Sequence, residues 1–227
     1  MAIEVKKTKG SASRDGVKLL IFGGSGTGKT TLLASMGRTI IISPEKGDLA
    51  LNDAENCESI QISSLLQLRE AYNYVVANKD SYDTVGIDSI SEIGQMVVAE
   101  LKKDPEFSSM KDGMKLWMKY SDMMLDIAKV FRDISGLNVV IIALAESVKN
   151  GFDEVIMPNI PAKKVQAQLP SLYDEVLYLR VNSEGEREFV TNPTSDIVAK
   201  DRSGKLNPIE PCVKANGLSA IMQKILS

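Results

Sequence analysis

The sequence predicts an α/β fold in which a mostly parallel central sheet is flanked by helices, with antiparallel strands toward the C-terminal side. Three observations predict it. Residues 17–22 are an apolar run that opens into a glycine-rich turn and then a helical stretch. Short apolar runs and amphipathic stretches then alternate as far as residue 144, the pattern of βα units in a parallel sheet. Beyond them, residues 175–181 and 187–191 are two strand-like runs joined by Asn182-Ser183-Glu184-Gly185, which reads as an antiparallel pair.

The first turn carries the most specific chemistry. Gly23-Gly24-Ser25-Gly26-Thr27-Gly28-Lys29-Thr30 fits G-x-x-x-x-G-K-[ST], the phosphate-binding P-loop, and Thr31 completes the binding set. Glycines let the backbone curl until successive N–H groups point at phosphate oxygens. Lys29 reaches the β- and γ-phosphates of a nucleoside triphosphate, and the Thr30 hydroxyl is a ligand for Mg²⁺. The motif lies between a strand and a helix, the context its mechanism requires.

The remaining elements follow in order. Residues 1–16 hold Lys6, Lys7, Lys9 and Arg14 with little apolar periodicity and read as a basic N-terminal tail, leaving 17–227 as one domain. Residues 31–36 continue the helix, and Gly37 stops it. Residues 39–43 are a buried strand delivering Pro44-Glu45 to the carboxyl edge of the sheet, where ligands of open α/β sheets sit. Residues 59–62 are a further short strand. Ser64 caps a helix with Leu65, Leu68, Tyr72 and Val75 or Val76 on its apolar side. Residues 82–89 are a strand closing on Asp88-Ser89. An apolar strand ending in an acid downstream of a P-loop is the Walker B arrangement, with Asp88 holding Mg²⁺ beside Thr30. Residues 90–103 are helical, and 103–113 are a loop. Residues 114–134 form a long helix with Trp117, Tyr120, Met124, Ile127, Val130 and Phe131 on its apolar side. The most apolar strand, 137–144, belongs at the centre of the sheet. A hairpin turn falls at 149–152, a short helix at 165–169, and a closing helix at 218–226.

Bulk properties exclude several classes. The 227 residues contain no histidine, which removes His-based triads, general bases and metal ligands. The net charge of −3 gives no global field toward nucleic acid, so such binding needs local basic patches. Cys57 and Cys212 lack zinc-site spacing and fit free thiols in a reducing cytoplasm. No apolar run is long enough to span a membrane, and residues 1–7 contain no signal-peptide core.

The order of parts resembles the RecA-like ATPase core, and most closely the small single-domain RecA-like ATPases of phages, the nucleotide-binding and single-strand annealing type. The resemblance spans residues 17–205 and rests on the P-loop, a strand ending in Pro44-Glu45, a strand ending in Asp88-Ser89, a sensor strand and a late Lys200-x-Arg202. It implies an ATP- and Mg²⁺-dependent ATPase, DNA-stimulated, acting in the cytoplasm of a phage's bacterial host. Glu45 would polarise the attacking water, Lys29 would act on the phosphates, and Lys200 and Arg202 would reach a neighbour's γ-phosphate. Single-stranded DNA, further copies of the chain in a ring or filament, and a single-strand-binding protein are the implied partners. Lys149, Phe152, Lys163 and Lys164 are the candidate DNA contacts. One departure stands out: where many RecA-like proteins carry a polar sensor, this chain has Leu144-Ala145, leaving Glu146 or Ser147 to serve.

Two other functions compete with annealing: a helicase-like or loader ATPase working with a partner, and a nucleotide-regulated interaction module without turnover. Asn78-Lys79-Asp80 lacks the spacing of a guanine-reading N-K-x-D, and no Arg-rich lid suggests a small-molecule kinase.

Overall fold

The computed structural model describes residues 15–44, 48–108, 113–151, 153–213 and 217–227. In chain order the elements are β1 (Lys18–Gly23), α1 (Lys29–Leu33), β2 (Thr39–Ser43), β3 (Cys57–Gln61), α2 (Leu65–Ala77), β4 (Thr84–Asp88) and α3 (Ile90–Leu101). There follow α4 (Pro105–Ser108), α5 (Gly113–Arg132), β5 (Asn138–Asn150), β6 (Asp153–Pro158), α6 (Lys163–Gln168), β7 (Glu175–Val181), β8 (Arg187–Val190), β9 (Lys200–Asp201), β10 (Ile209–Pro211) and α7 (Gly217–Leu226).

The strands lie in the order β10-β8-β7-β1-β5-β4-β2-β3. From β7 to β3 every pairing is parallel. β8, β9 and β10 add antiparallel contacts at the C-terminal side. The expected fold class is therefore the observed one. β5 lies between β1 and β4, so the P-loop strand and the acid-tipped strand are separated by the strand expected to sense the nucleotide.

Alternation along β1 divides the core. Leu20 and Phe22 face one layer with α2, α3, α5 and α6; Leu19 and Ile21 face the other with α1 and α7. All six residues of β1 are buried, as a parallel strand covered on both faces must be. The C-terminal helix is tied to the P-loop helix: the Ser35 hydroxyl accepts from Leu218 N at 3.1 Å and so caps α7. At its other end, Lys224 pairs with the buried Glu210 at 2.5 Å.

The structure corrects several local expectations. α1 ends at Leu33, and residues 34–36 are turn rather than helix. In α5 the buried stripe is Leu116, Tyr120, Met124, Leu125, Ala128 and Phe131, while Trp117 and Val130 are each 44% exposed. Trp117 lies one position round from Leu116, at the edge of the stripe, where its ring meets Tyr120 edge-on at 5.5 Å. In α2, Val75 is buried and Val76 exposed. Ser64 caps that helix as expected, accepting from Gln67 N at 3.2 Å. Within the expected 103–113 loop, residues 105–108 form a helical turn. β5 runs six residues beyond its apolar part and pairs with β6 from Ala145↔Pro158 to Asn150↔Asp153. Among the described residues, no helix is long and apolar enough to cross a membrane.

Candidate nucleotide site

Parallel pairing aligns the strand ends that build the site. Gly23 closes β1 beside Leu144 of β5, and Asp88 closes β4 beside Ile142. The P-loop therefore opens beside the acid without being adjacent to it in sequence. Gly28, at φ +92°, takes a left-handed conformation that a side chain would strain, turning the loop into α1. Gly23 faces a different constraint: a Cβ there would stand 2.4 Å from Leu179 O of β7.

Inside the loop, the Thr27 hydroxyl donates to Gly24 O at 2.9 Å. Lys29 is 8% exposed, and its ammonium donates to Gly23 O at 2.9 Å and Gly24 O at 2.6 Å. The Thr30 hydroxyl donates to Oδ2 of Asp88. Burial pushes the Asp88 carboxyl above its ordinary range, opposed by that hydrogen bond and by the charge on Lys29. The Ser43 hydroxyl donates to Asp88 O at 2.8 Å and joins β2 to the same corner. The next peptide, Asp88–Ser89, is cis, and Ser89 caps α3 through Glu92 N at 3.4 Å.

These groups line a cavity of about 350 Å³ bounded by Ser25, Lys29, Thr30, Asp88 and Leu144. A hydroxyl and a carboxylate in contact, with an ammonium beside them, form a hard oxygen donor set of the kind Mg²⁺ takes together with phosphate oxygens. The residues present fit the ion and the triphosphate. Against α1, a second cleft of about 700 Å³ opens between Thr31, Ala34, Ser35, Ala50, Asp53 and Asn56.

The other expected site residues lie elsewhere. Glu45 and Phe152 fall outside the described residues, as does the basic tail through residue 14. Lys149 is exposed near the tip of the β5–β6 hairpin, and Lys163 is exposed at the start of α6. Lys164 pairs with Asp122 of α5 at 3.1 Å. Glu146, a candidate sensor, accepts from Gln166 Nε2 of α6, and the same amide nitrogen donates to Pro158 O at 3.0 Å. Leu144, not Glu146, lines the smaller cavity.

Lys200 and Arg202 sit at the opposite end of the sheet from the P-loop, because β9 pairs with Glu175 and Val176 at the start of β7. Lys200 donates to Pro170 O and Ser171 O, each at 3.4 Å, and to Tyr173 O. Burial draws its pKa down, with Arg202 adding to the effect. Arg202 holds Asp174 at 2.8 Å and is exposed. Beside them, Glu175 is 1% exposed. Burial first, and then the neighbouring Asp201, pushes its pKa up to about 8.

Sequence reasoning missed Arg187. It opens β8 opposite Val181, so the antiparallel register carries it past the end of β1 and over the P-loop. The trace it leaves in the sequence is a cation two residues after Gly185. Strand register, which brings it over Gly28, cannot be read from spacing alone.

A family model described as an AAA domain matches residues 15–203. No curated protein matches the chain. Among solved structures, a KaiC-like protein from the hyperthermophilic archaeon Pyrococcus horikoshii is similar over 89% of this chain and 88% of its own, at 15% identity and a TM-score of 0.46. That likeness is too distant to carry a functional reading.

Proposed function

We propose, from the premise that this chain belongs to the AAA-domain family, that it hydrolyses ATP and, as an oligomer, binds single-stranded DNA and promotes annealing of complementary strands. The observation that carries the ATPase half is the meeting of Lys29, Thr30 and Asp88 at one cavity. Lys29 leaves the loop carbonyls for the β- and γ-phosphates, and the loop amides hold the remaining phosphate oxygens. Thr30 and Asp88 would hold Mg²⁺, which would supply positive charge against that developing on the transferred phosphoryl group. Glu45, two residues beyond β2 in the sequence, is assigned the orienting of the attacking water.

Arg202 is the better candidate for a cation donated to a neighbouring subunit. Its exposed pair with Asp174 is of a kind worth about 1 kcal/mol or less. Lys200 instead spends its donors on three backbone carbonyls. A cation supplied in this way contributes a factor of ~10³–10⁵ in other P-loop enzymes, so turnover would follow assembly.

Support for the DNA half is the hairpin. It leaves the carboxyl end of β5, the end that bears the P-loop, with Lys149 exposed near its tip. The test is ATP hydrolysis by size-fractionated protein with and without single-stranded DNA, alongside annealing of complementary oligonucleotides. Turnover rising with DNA and oligomer size, with annealing, is expected. DNA-indifferent turnover removes the nucleic-acid half, and strand displacement on a forked duplex would instead identify a helicase-like motor.

A further inference from the structure

We propose that Arg187 binds the α-phosphate of the nucleotide within its own subunit, at the junction between the phosphate cavity and the larger cleft, which takes the nucleoside. The proposal rests on the reading of the P-loop as a triphosphate site.

Three observations carry it. The guanidinium lies flat against the loop: a Cβ placed on Gly28 would stand 3.3, 3.4 and 3.6 Å from Nε, Cζ and Nη2 of Arg187. Near-equal distances to three atoms of one plane put that point over the face of the group, leaving its N–H edge free to point outward. Second, Arg187 lines both cavities, and so do Gly28, Thr31 and Ala50. The two spaces meet at these four residues. Third, Arg187 has no carboxylate partner among the described residues, whereas Arg38, Arg132, Arg180 and Arg202 each have one. Its neighbour Glu188 is committed to Arg180 at 2.8 Å. Asp53 and Glu55 line the larger cleft without pairing with it.

The phosphate chain fixes which oxygen Arg187 meets. Lys29, Thr30 and Asp88 line the smaller cavity and not the larger cleft, and take the β- and γ-phosphates and the ion. The chain then leaves past Thr31 into the cleft, and the phosphate at that threshold is the one attached to the ribose. A guanidinium there offers a fork of donors to its oxygens. A bound anion also relieves the crowding of two cations, Lys29 and Arg187, around one loop.

Calorimetric titration of Mg·ATP, Mg·ADP and AMP into wild type, Lys29→Ala, Arg187→Ala and Arg187→Lys tests this. Arg187→Ala is expected to weaken ATP and ADP by the same factor, about 10–100-fold, the range for a lost charge-assisted hydrogen bond. Arg187→Lys should recover part of the loss. Unchanged affinity for both nucleotides overturns the proposal, and so does a loss confined to ATP, which would mark a γ-phosphate contact. Should Arg187→Ala fail to fold, Arg187→Gln, which keeps the aliphatic stem, carries the same comparison. Failure of the underlying reading looks different: wild type binds no nucleotide, or Lys29→Ala binds as well as wild type, and both ideas then fall.

Discussion

The Thr30 hydroxyl donates to Oδ2 of Asp88, joining the first turn of α1 to the end of β4 across the strand that separates them. Asp88→Asn keeps an acceptor for that bond and removes the charge. The gain in ATP affinity on adding Mg²⁺ should fall about 10–100-fold, as it does when groups orienting a metal are lost. Because the Asp88 pKa is raised in the folded chain, the wild-type gain should grow as pH rises from acid toward neutral. ATP titrations with and without Mg²⁺ across that range check both statements. A variant with the wild-type response to Mg²⁺ would refute the assignment.

Lys29→Ala should abolish nucleotide binding while the fold survives. The ammonium holds Gly23 O and Gly24 O, and such bonds contribute about 1–3 kcal/mol at most. A thermal melt reads the stability term, and calorimetry reads the binding. Detectable ATP binding by the variant would remove the lysine from its role.

Lys200→Ala and Arg202→Ala should separate stability from activity. Removing Lys200 strands three carbonyls beside β7, at a cost of roughly 1–3 kcal/mol in denaturant unfolding. Removing Arg202 should cost about 1 kcal/mol or less, yet reduce turnover of the assembled protein. Mixing Arg202→Ala with Lys29→Ala should restore turnover, since one variant supplies the cation and the other the intact loop. Absence of rescue at every ratio counts against a shared site.

Glu175 should make stability depend on pH. Its folded pKa of about 8 lies above its ordinary carboxylate value, so the folded chain holds more protons between those limits. Stability therefore falls as pH rises toward 8, by up to ~1.4 kcal/mol per pH unit, and levels off above. Glu175→Gln should flatten that slope and melt higher than wild type at pH 8. An unchanged slope would refute the assignment.

Much of this could be read before any coordinates, and the reasons are local. The P-loop and the strand closing on Asp88 are contiguous in sequence, so their chemistry is legible at fixed offsets. β5 was legible as central because only a doubly covered strand is so uniformly apolar. What escaped depends on partners. Arg187 needs the β7–β8 register and the β1–β7 pairing together before it overhangs Gly28. The face of α5 is set by which of two neighbouring apolar residues meets the sheet, and periodicity alone chose Trp117 over Leu116. The separation of Lys200 and Arg202 from the chain's own P-loop follows from β9 pairing with the first residues of β7 rather than the last.

The continuation of β5 into its hairpin has a mechanical consequence. From Ile142, beside Asp88, to Asn150 the backbone is one unbroken strand, a bar of roughly 26 Å at ~3.3 Å per residue. Leu144 sits on the cavity wall near its fulcrum. Each degree of tilt at that base sweeps the tip by about 0.5 Å over this length. Any tilt at that base therefore arrives at the far end of the hairpin as leverage.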